Sequence, residues 1–159
     1  MAALTTSLWF DGNAEAAVAF YASVFDDVVV TNTLRFTEAG PGPEGSVLLI
    51  AFTLRGQQFI AINGGPQFSF SGAISFVIDC ADQAEVDRYW AALTVDGGTE
   101  HPCGWLTDKF GITWQVTPRR LTELLSAGDA EASTRMTRVM YTMSKLDIAA
   151  LEAAYFGDT

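Results

Sequence analysis

The chain has 159 residues, 49% of them hydrophobic and 18% charged, which suffices for one domain or two small modules sharing a core and argues against disorder. Nine Lys and Arg against nineteen Asp and Glu leave a formal charge of -10, a field that repels phosphate backbones and anionic lipid and argues against nucleic acid or membrane as partners. Two cysteines, Cys80 and Cys103, lie outside any CxxC and make no secreted disulfide framework. With no apolar run long enough for a membrane span or signal peptide, a cytoplasmic location is expected.

In chain order, Leu4 to Phe10 reads as a strand with Leu4, Leu8 and Phe10 on one face and Thr5, Ser7 and Trp9 on the other. Asp11-Gly12-Asn13 is a turn that delivers Asn13 as a helix cap, with Glu15 in the first turn where the dipole favours it. Ala17, Phe20, Tyr21, Val24 and Phe25 then recur at helical spacing. A β-branched strand runs from Val28 to about Phe36. Thr37 to Gly45 is rich in Gly and Pro, and reads either as a solvated connection or as a flap over a pocket. Val47–Leu54 and Gln57–Asn63 form a hairpin around Arg55-Gly56.

Asn63-Gly-Gly-Pro66 interrupts the pattern, which then restarts. Ala73 to Asp79 is a strand with Ile74, Phe76 and Ile78 on one face. Asp82 to Glu85 resembles a capping box, and Val86, Tyr89, Trp90 and Leu93 carry the helix to Gly97-Gly98. Moving Ala17, Phe20, Tyr21 and Val24 onto Val86, Tyr89, Trp90 and Leu93 superposes the two helices, and three strands follow each, so a βαβββ repeat is the economical reading.

The second module ends in Cys103-Gly-Trp-Leu-Thr-Asp-Lys-Phe-Gly-Ile-Thr-Trp-Gln-Val-Thr-Pro118. This predicts strands over 105–108 and 112–117 joined by a turn at Gly111. Alternation puts Ile112, Trp114 and Val116 toward a core and Thr113, Gln115 and Thr117 toward a polar cavity. Asp108 and Lys109 read as solvated turn residues. Beyond Arg119 come three short helical patterns. Leu121, Leu124 and Leu125 mark the first, Met136, Val139, Met140 and Met143 the second, and Ile148, Leu151 and Tyr155 the third. The expected fold is α+β: two tandem βαβββ modules, about 1–66 and 73–118, forming a cupped mixed sheet. A helical extension, 119–159, packs on the modules or on a dimer partner.

Tandem βαβββ modules resemble the vicinal oxygen chelate superfamily, which includes the glyoxalases, bleomycin resistance proteins and ring-cleaving dioxygenases. The chain is most similar to its 3-demethylubiquinone-9 3-methyltransferase-like subfamily. The resemblance is carried by Leu8-Trp-Phe-Asp-Gly-Asn13, Ala17-Val-Ala-Phe-Tyr21, Asn63-Gly-Gly-Pro66, Ile74-Ser-Phe-Val77, Val86-Asp-Arg-Tyr-Trp90, the Cys103–Pro118 run and the tail Leu146-Asp-Ile-Ala-Ala-Leu-Glu-Ala-Ala-Tyr155. It implies a homodimer or paired modules and a divalent metal in the cup, held by side chains from the first and last strand of each module. Here those places carry Thr5 or Ser7, Ile60, Ser75 and Gln115, of which only Gln115 is an accepted ligand type, and the sole histidine, His101, sits beside Pro102 in a loop. Metal is therefore expected to be absent. The subfamily description implies methyl transfer from S-adenosylmethionine, yet no strand leads into a glycine-rich turn and helix of the kind that holds that cofactor, and no cofactor is expected.

The sequence points to a pocket and not to a particular reaction. The expected function is metal-free binding of a small molecule. The alternatives are a metal-dependent glyoxalase- or dioxygenase-like enzyme, and the 3-demethylubiquinone 3-methyltransferase of the subfamily description. Candidate ligand-binding residues are Ser7, Trp9, Asn63, Ser75, Cys103, Trp105 and Gln115. Gln115 faces the cup by parity, and Ser7 and Ser75 occupy places where the resemblance puts ligands pointing into it. Trp9 and Trp105 suit stacking on a flat ligand. Asn63 is a polar strand end, and Cys103 is a thiol that no histidine is placed to activate.

Overall fold

The computed structural model describes residues 4–157, so the outermost residues of the expected modules, 1–3 and 158–159, lie outside the description. The chain divides into two compact units, the first ending at Phe70 and the second beginning at Ser71.

The first unit runs β1 (Thr6–Phe10), α1 (Ala14–Val24), β2 (Val29–Arg35), β3 (Val47–Leu54) and β4 (Gln57–Asn63). Its sheet has the order β1-β4-β3-β2, with β1 and β4 parallel and the other pairs antiparallel. The parallel pair needs a long crossover, and α1 with β2 and β3 provides it. Leu8, Phe10, Ile50, Phe52, Leu54, Phe59 and Ala61 are buried, as are Ala14, Ala17, Val18, Tyr21 and Val24 of α1, which packs on β3 and β4. Phe52 and Phe59 face each other across β3 and β4 and stack at 5.3 Å. Val18 takes the buried place expected of Phe20, which is only half-buried.

Asn13 precedes α1 as expected but makes no side-chain capping bond. The cap comes from β4, where Asn63 Oδ1 accepts the Ala14 N–H at 2.9 Å. Asn63 Nδ2 donates to the Val47 carbonyl at 3.0 Å and to Glu15 Oε2 at 2.9 Å. One amide therefore ties the ends of β4 and α1 to the start of β3.

The second unit repeats the order: β5 (Phe76–Cys80), α2 (Gln83–Thr94), β6 (Thr99–Glu100), β7 (Trp105–Thr107) and β8 (Thr113–Pro118), with sheet order β5-β8-β7-β6 and β5 parallel to β8. The α+β fold of two tandem modules is thus present, each with its own mixed sheet. Strand β5 starts three residues later than the alternation suggests. Ile74, expected to share a face with Phe76 and Ile78, is 75% exposed, because the apolar period begins before the first paired residue, Phe76. Asp82 Oδ1 accepts the Glu85 N–H, and Glu85 Oε2 accepts the Ala81 N–H, which makes a capping box one residue wider than the usual form. Val86, Tyr89, Trp90 and Leu93 of α2 meet the buried Leu106, Trp114 and Val116 on one face of the sheet. Cys80 is buried beside them. Desolvation, with the charges of Glu85 and Asp79, pushes its thiol pKa up to about 12, so it is an inert core residue at neutral pH.

Helices α3 (Arg119–Ser126), α4 (Ala130–Met140) and α5 (Ile148–Phe156) complete the second unit. Asp129 and Asp147 cap α4 and α5 by accepting the N–H groups of Ala132 and Ala150. Leu121, Leu124, Ala132, Met136, Leu146, Leu151 and Tyr155 form a small core of their own, flanked by Met140 and Met143. Leu125, expected inside, is 46% exposed. The Gln83 side chain of α2 donates to the Leu146 carbonyl and accepts from the Ile148 N–H, and Lys145 pairs with Asp87. The methionine stripe is therefore packing material for these helices.

Candidate functional site

The face of the second sheet turned away from α2 is fixed by strand alternation. With Leu106, Trp114 and Val116 committed to the core, Trp105, Thr107, Thr113, Gln115 and Thr117 must point the other way. Trp105 and Gln115 are directly opposite on β7 and β8, and Gln115 is level with Val77 on β5. Gln115 Nε2 donates to Ser75 Oγ at 2.8 Å, which anchors the amide across the two strands. Among the described residues no donor reaches Gln115 Oε1, and no acceptor reaches the Trp105 indole N–H. Both side chains are half-buried. An aromatic face, one donor and one acceptor thus stand side by side. At the rim, Arg119 Nε donates to Asp79 Oδ2 at 3.1 Å.

The other candidates are arranged differently. Cys103 sits in the turn before β7 at φ 65°, donates its N–H to the Met143 carbonyl and directs its thiol at the Met140 carbonyl, toward the C-terminal helices. His101 is half-buried, its Nε2 2.9 Å from Thr107 Oγ1. In the first unit Ser7 is exposed on β1 opposite Ile60. Trp9 donates its indole N–H to the Gly65 carbonyl at 2.8 Å and packs edge-on against Phe68. Its ring lies so close over Gly64 that a Cβ there would come within 2.2 Å. Trp9 is thus a clasp for residues 64–68, and the Asn63 amide is engaged on both sides, holding the start of α1 and the start of β3. The structure gathers Ser75, Trp105 and Gln115, and gives Trp9, Asn63 and Cys103 structural bonds.

Two features escape the sequence reading. Asp108, expected to be solvated, is buried beneath its own turn. The first unit also has an open cleft of about 490 Å3 among residues 11–15, 36–47 and 63–67. Its one sequence signal is the Gly- and Pro-rich stretch 37–45.

A metal held by imidazole and carboxylate does not fit these residues. Its places carry Ser7, Ile60, Ser75 and Gln115, and among the described residues no three His, Cys, Asp or Glu side chains come together as a ligand set. S-adenosylmethionine does not fit these residues either, since the glycine-rich strand-to-helix turn that would hold it is missing from the first module. The β1–α1 turn is Asp11-Gly12-Asn13, and the sheet is a four-stranded mixed one with its helix on one face.

Tandem βαβββ modules of this strand order are the architecture of the vicinal oxygen chelate proteins. FosX, a genomically encoded fosfomycin resistance protein of Listeria monocytogenes, shares it at 14% identity and a TM-score of 0.50, over 74% of this chain and 93% of its own. PA1353 of Pseudomonas aeruginosa shares it at 21% identity and a TM-score of 0.60, over 74% and 98%. A PhnB protein from Bacillus cereus is 36% identical with a TM-score of 0.66, over 74% of this chain and 99% of its own. The model of the family described as 3-demethylubiquinone-9 3-methyltransferase matches residues 2–117, and the chain belongs to that family. No curated protein matches it. The matched segment stops before α3, so the tail residues counted toward the resemblance lie beyond it.

Proposed function

We propose that this protein binds a small, flat, largely apolar molecule on the face of its second sheet, without a metal ion. The observation that carries the reading is the juxtaposition of Trp105 and Gln115, opposite each other on β7 and β8, whose indole N–H and Oε1 have no partner among the described residues. A planar ligand bearing one acceptor and one donor satisfies both while its ring lies on the indole. The donor chemistry at Ser7, Ile60, Ser75 and Gln115 supports binding over Lewis-acid catalysis.

Titrating a library of aromatic compounds while following the Trp105 indole and Gln115 amide resonances tests this. Saturable shifts are expected for some planar compounds. Gln115→Ala should weaken them about tenfold, the equivalent of one hydrogen bond of about 1.4 kcal/mol. No saturable response from any compound in a folded protein, or stoichiometric metal in the purified protein, would overturn it.

The reading includes a cytoplasmic homodimer. Among the described residues no helix is long and apolar enough to cross a membrane, and edge strand β2 exposes Val29, Val30 and Leu34. Sedimentation at the mass of two chains is expected, and a monomer at micromolar concentration would remove that part.

A further inference from the structure

We propose that the first unit carries a second binding site, the cleft of about 490 Å3, and that it takes a small organic cation, an ammonium group on a compact apolar body. This site is built wholly from residues 11–67 and is independent of the sheet-face reading. Its volume falls within the roughly 300–1,000 Å3 of ordinary ligand pockets.

The location follows from topology. Strands β1 and β4 are parallel and in register from Thr6 opposite Phe59 to Phe10 opposite Asn63, so both carboxyl ends open at one place. There the chain leaves β1 through Asp11 and Gly12 into α1, and leaves β4 through Gly64 and Gly65, whose N–H groups both donate to the Phe10 carbonyl. The connection from β2 to β3 walls the remaining side. Its neck is closed by the Phe36 N–H on the Ser46 carbonyl and the Gly45 N–H on the Phe36 carbonyl, each at 2.9 Å. Gly42 lies on the Phe36 ring, where a Cβ would come within 2.5 Å of it, and this contact holds Pro41 and Pro43 on the wall.

The ligand class follows from the lining. Its only ionisable residues are Asp11 and Glu15. Glu15 Oε2 accepts from Asn63 Nδ2, which aims that carboxylate, and neither acid has a cationic partner among the described residues. The N-terminus of α1 contributes roughly half a positive charge, outweighed by two full negative ones. The chain's net charge of -10 adds to the imbalance. Phe36, Pro41, Pro43 and Val47 supply apolar contact for the body of such a ligand. An anion of the same shape is repelled, and a neutral one lacks the charge attraction.

Benzylamine, protonated at pH 7, is the probe, with benzyl alcohol and benzoate as isosteric controls, titrated into the full-length protein while backbone amide resonances are followed. Benzylamine should shift the amides of Gly12, Gly64 and Gly65 saturably. Benzyl alcohol should bind at least about tenfold more weakly, and benzoate should give no response there. Asp11→Asn, which removes only the charge of a side chain that makes no hydrogen bond among the described residues, and the double variant with Glu15→Gln should each weaken benzylamine while leaving remote resonances unmoved. Equal binding of the alcohol, unchanged affinity in the double variant, or no saturable shift at these glycines would overturn the proposal. Shifts confined to the Trp105 indole and Gln115 amide would also overturn it while favouring the sheet-face reading, so the two ideas fail separately.

Discussion

Asp108→Ala is expected to destabilise the protein by about 3 to 4 kcal/mol, among the largest effects of any single substitution in the second unit. Asp108 is 3% exposed, in the turn between β7 and β8. Its Oδ1 accepts the N–H groups of Phe110 at 2.8 Å and Ile112 at 3.1 Å, and its Oδ2 accepts the Trp114 indole N–H at 2.9 Å. Alanine leaves three donors without that acceptor, and each buried orphan costs about 1–3 kcal/mol before the turn relaxes. Asp108→Asn keeps one acceptor oxygen and should lose roughly half as much. Urea unfolding with an unchanged m-value measures both, and a loss below about 1 kcal/mol for the alanine variant would refute this account. The consequence reaches the sheet face. The turn sets the register that puts Trp105 opposite Gln115, and a one-residue slip would send Gln115 into the core and Trp114 out. Binding and stability should therefore fail together at Asp108, and separately at Gln115.

Asp108 also shows where sequence reasoning runs out. A turn Asp followed by Lys reads as solvated, because nothing local says that Trp114, in the next strand, will fold its indole back over the turn. Asn13 and Asn63 illustrate the same limit. The cap residue type before α1 was legible, but the capping oxygen comes from the end of β4, across the parallel pair. What depended on period was legible: the repeat of the two modules, the buried face of β8 and the three C-terminal helices. Where period persists beyond pairing, as at Ile74, the boundary moved.

The candidate site was legible by face and not by partner. Parity gives the face of Gln115, but only the structure shows Trp105 opposite it on the neighbouring strand and Nε2 of Gln115 bound to Ser75. Trp9 has the same residue type and a similar parity argument, yet its N–H is taken by the Gly65 carbonyl. The cleft joins three segments distant in sequence, so no spacing rule could have found it.

Gly104→Ala should cost about 3 kcal/mol, and its cause is backbone geometry. Gly104 sits at φ 82°, where an L-residue pays roughly 1–2 kcal/mol, and a Cβ there would come within 2.9 Å of both the Val116 carbonyl and Leu146 Cδ1. The leucine tip can give way but the strand carbonyl cannot, because the same turn is bonded on both sides. The Gly104 carbonyl accepts the Val116 N–H at 2.7 Å, while the Gly104 and Cys103 N–H groups donate to the carbonyls of Ser144 and Met143. The turn therefore clamps β8 and the segment leading into α5 at once, and a shift that relieves one contact strains the other. Cys103, at φ 65°, supplies the control. Cys103→Gly relieves a left-handed side chain at the expense of chain entropy, so it should alter stability by no more than about 1 kcal/mol in either direction. If alanine at 104 proves as mild as glycine at 103, the clamp is not what holds the C-terminal helices. If it is as severe as expected, amide exchange should show α5 opening in the variant well before β8, since α5 hangs on that turn and β8 is also paired to β5 and β7.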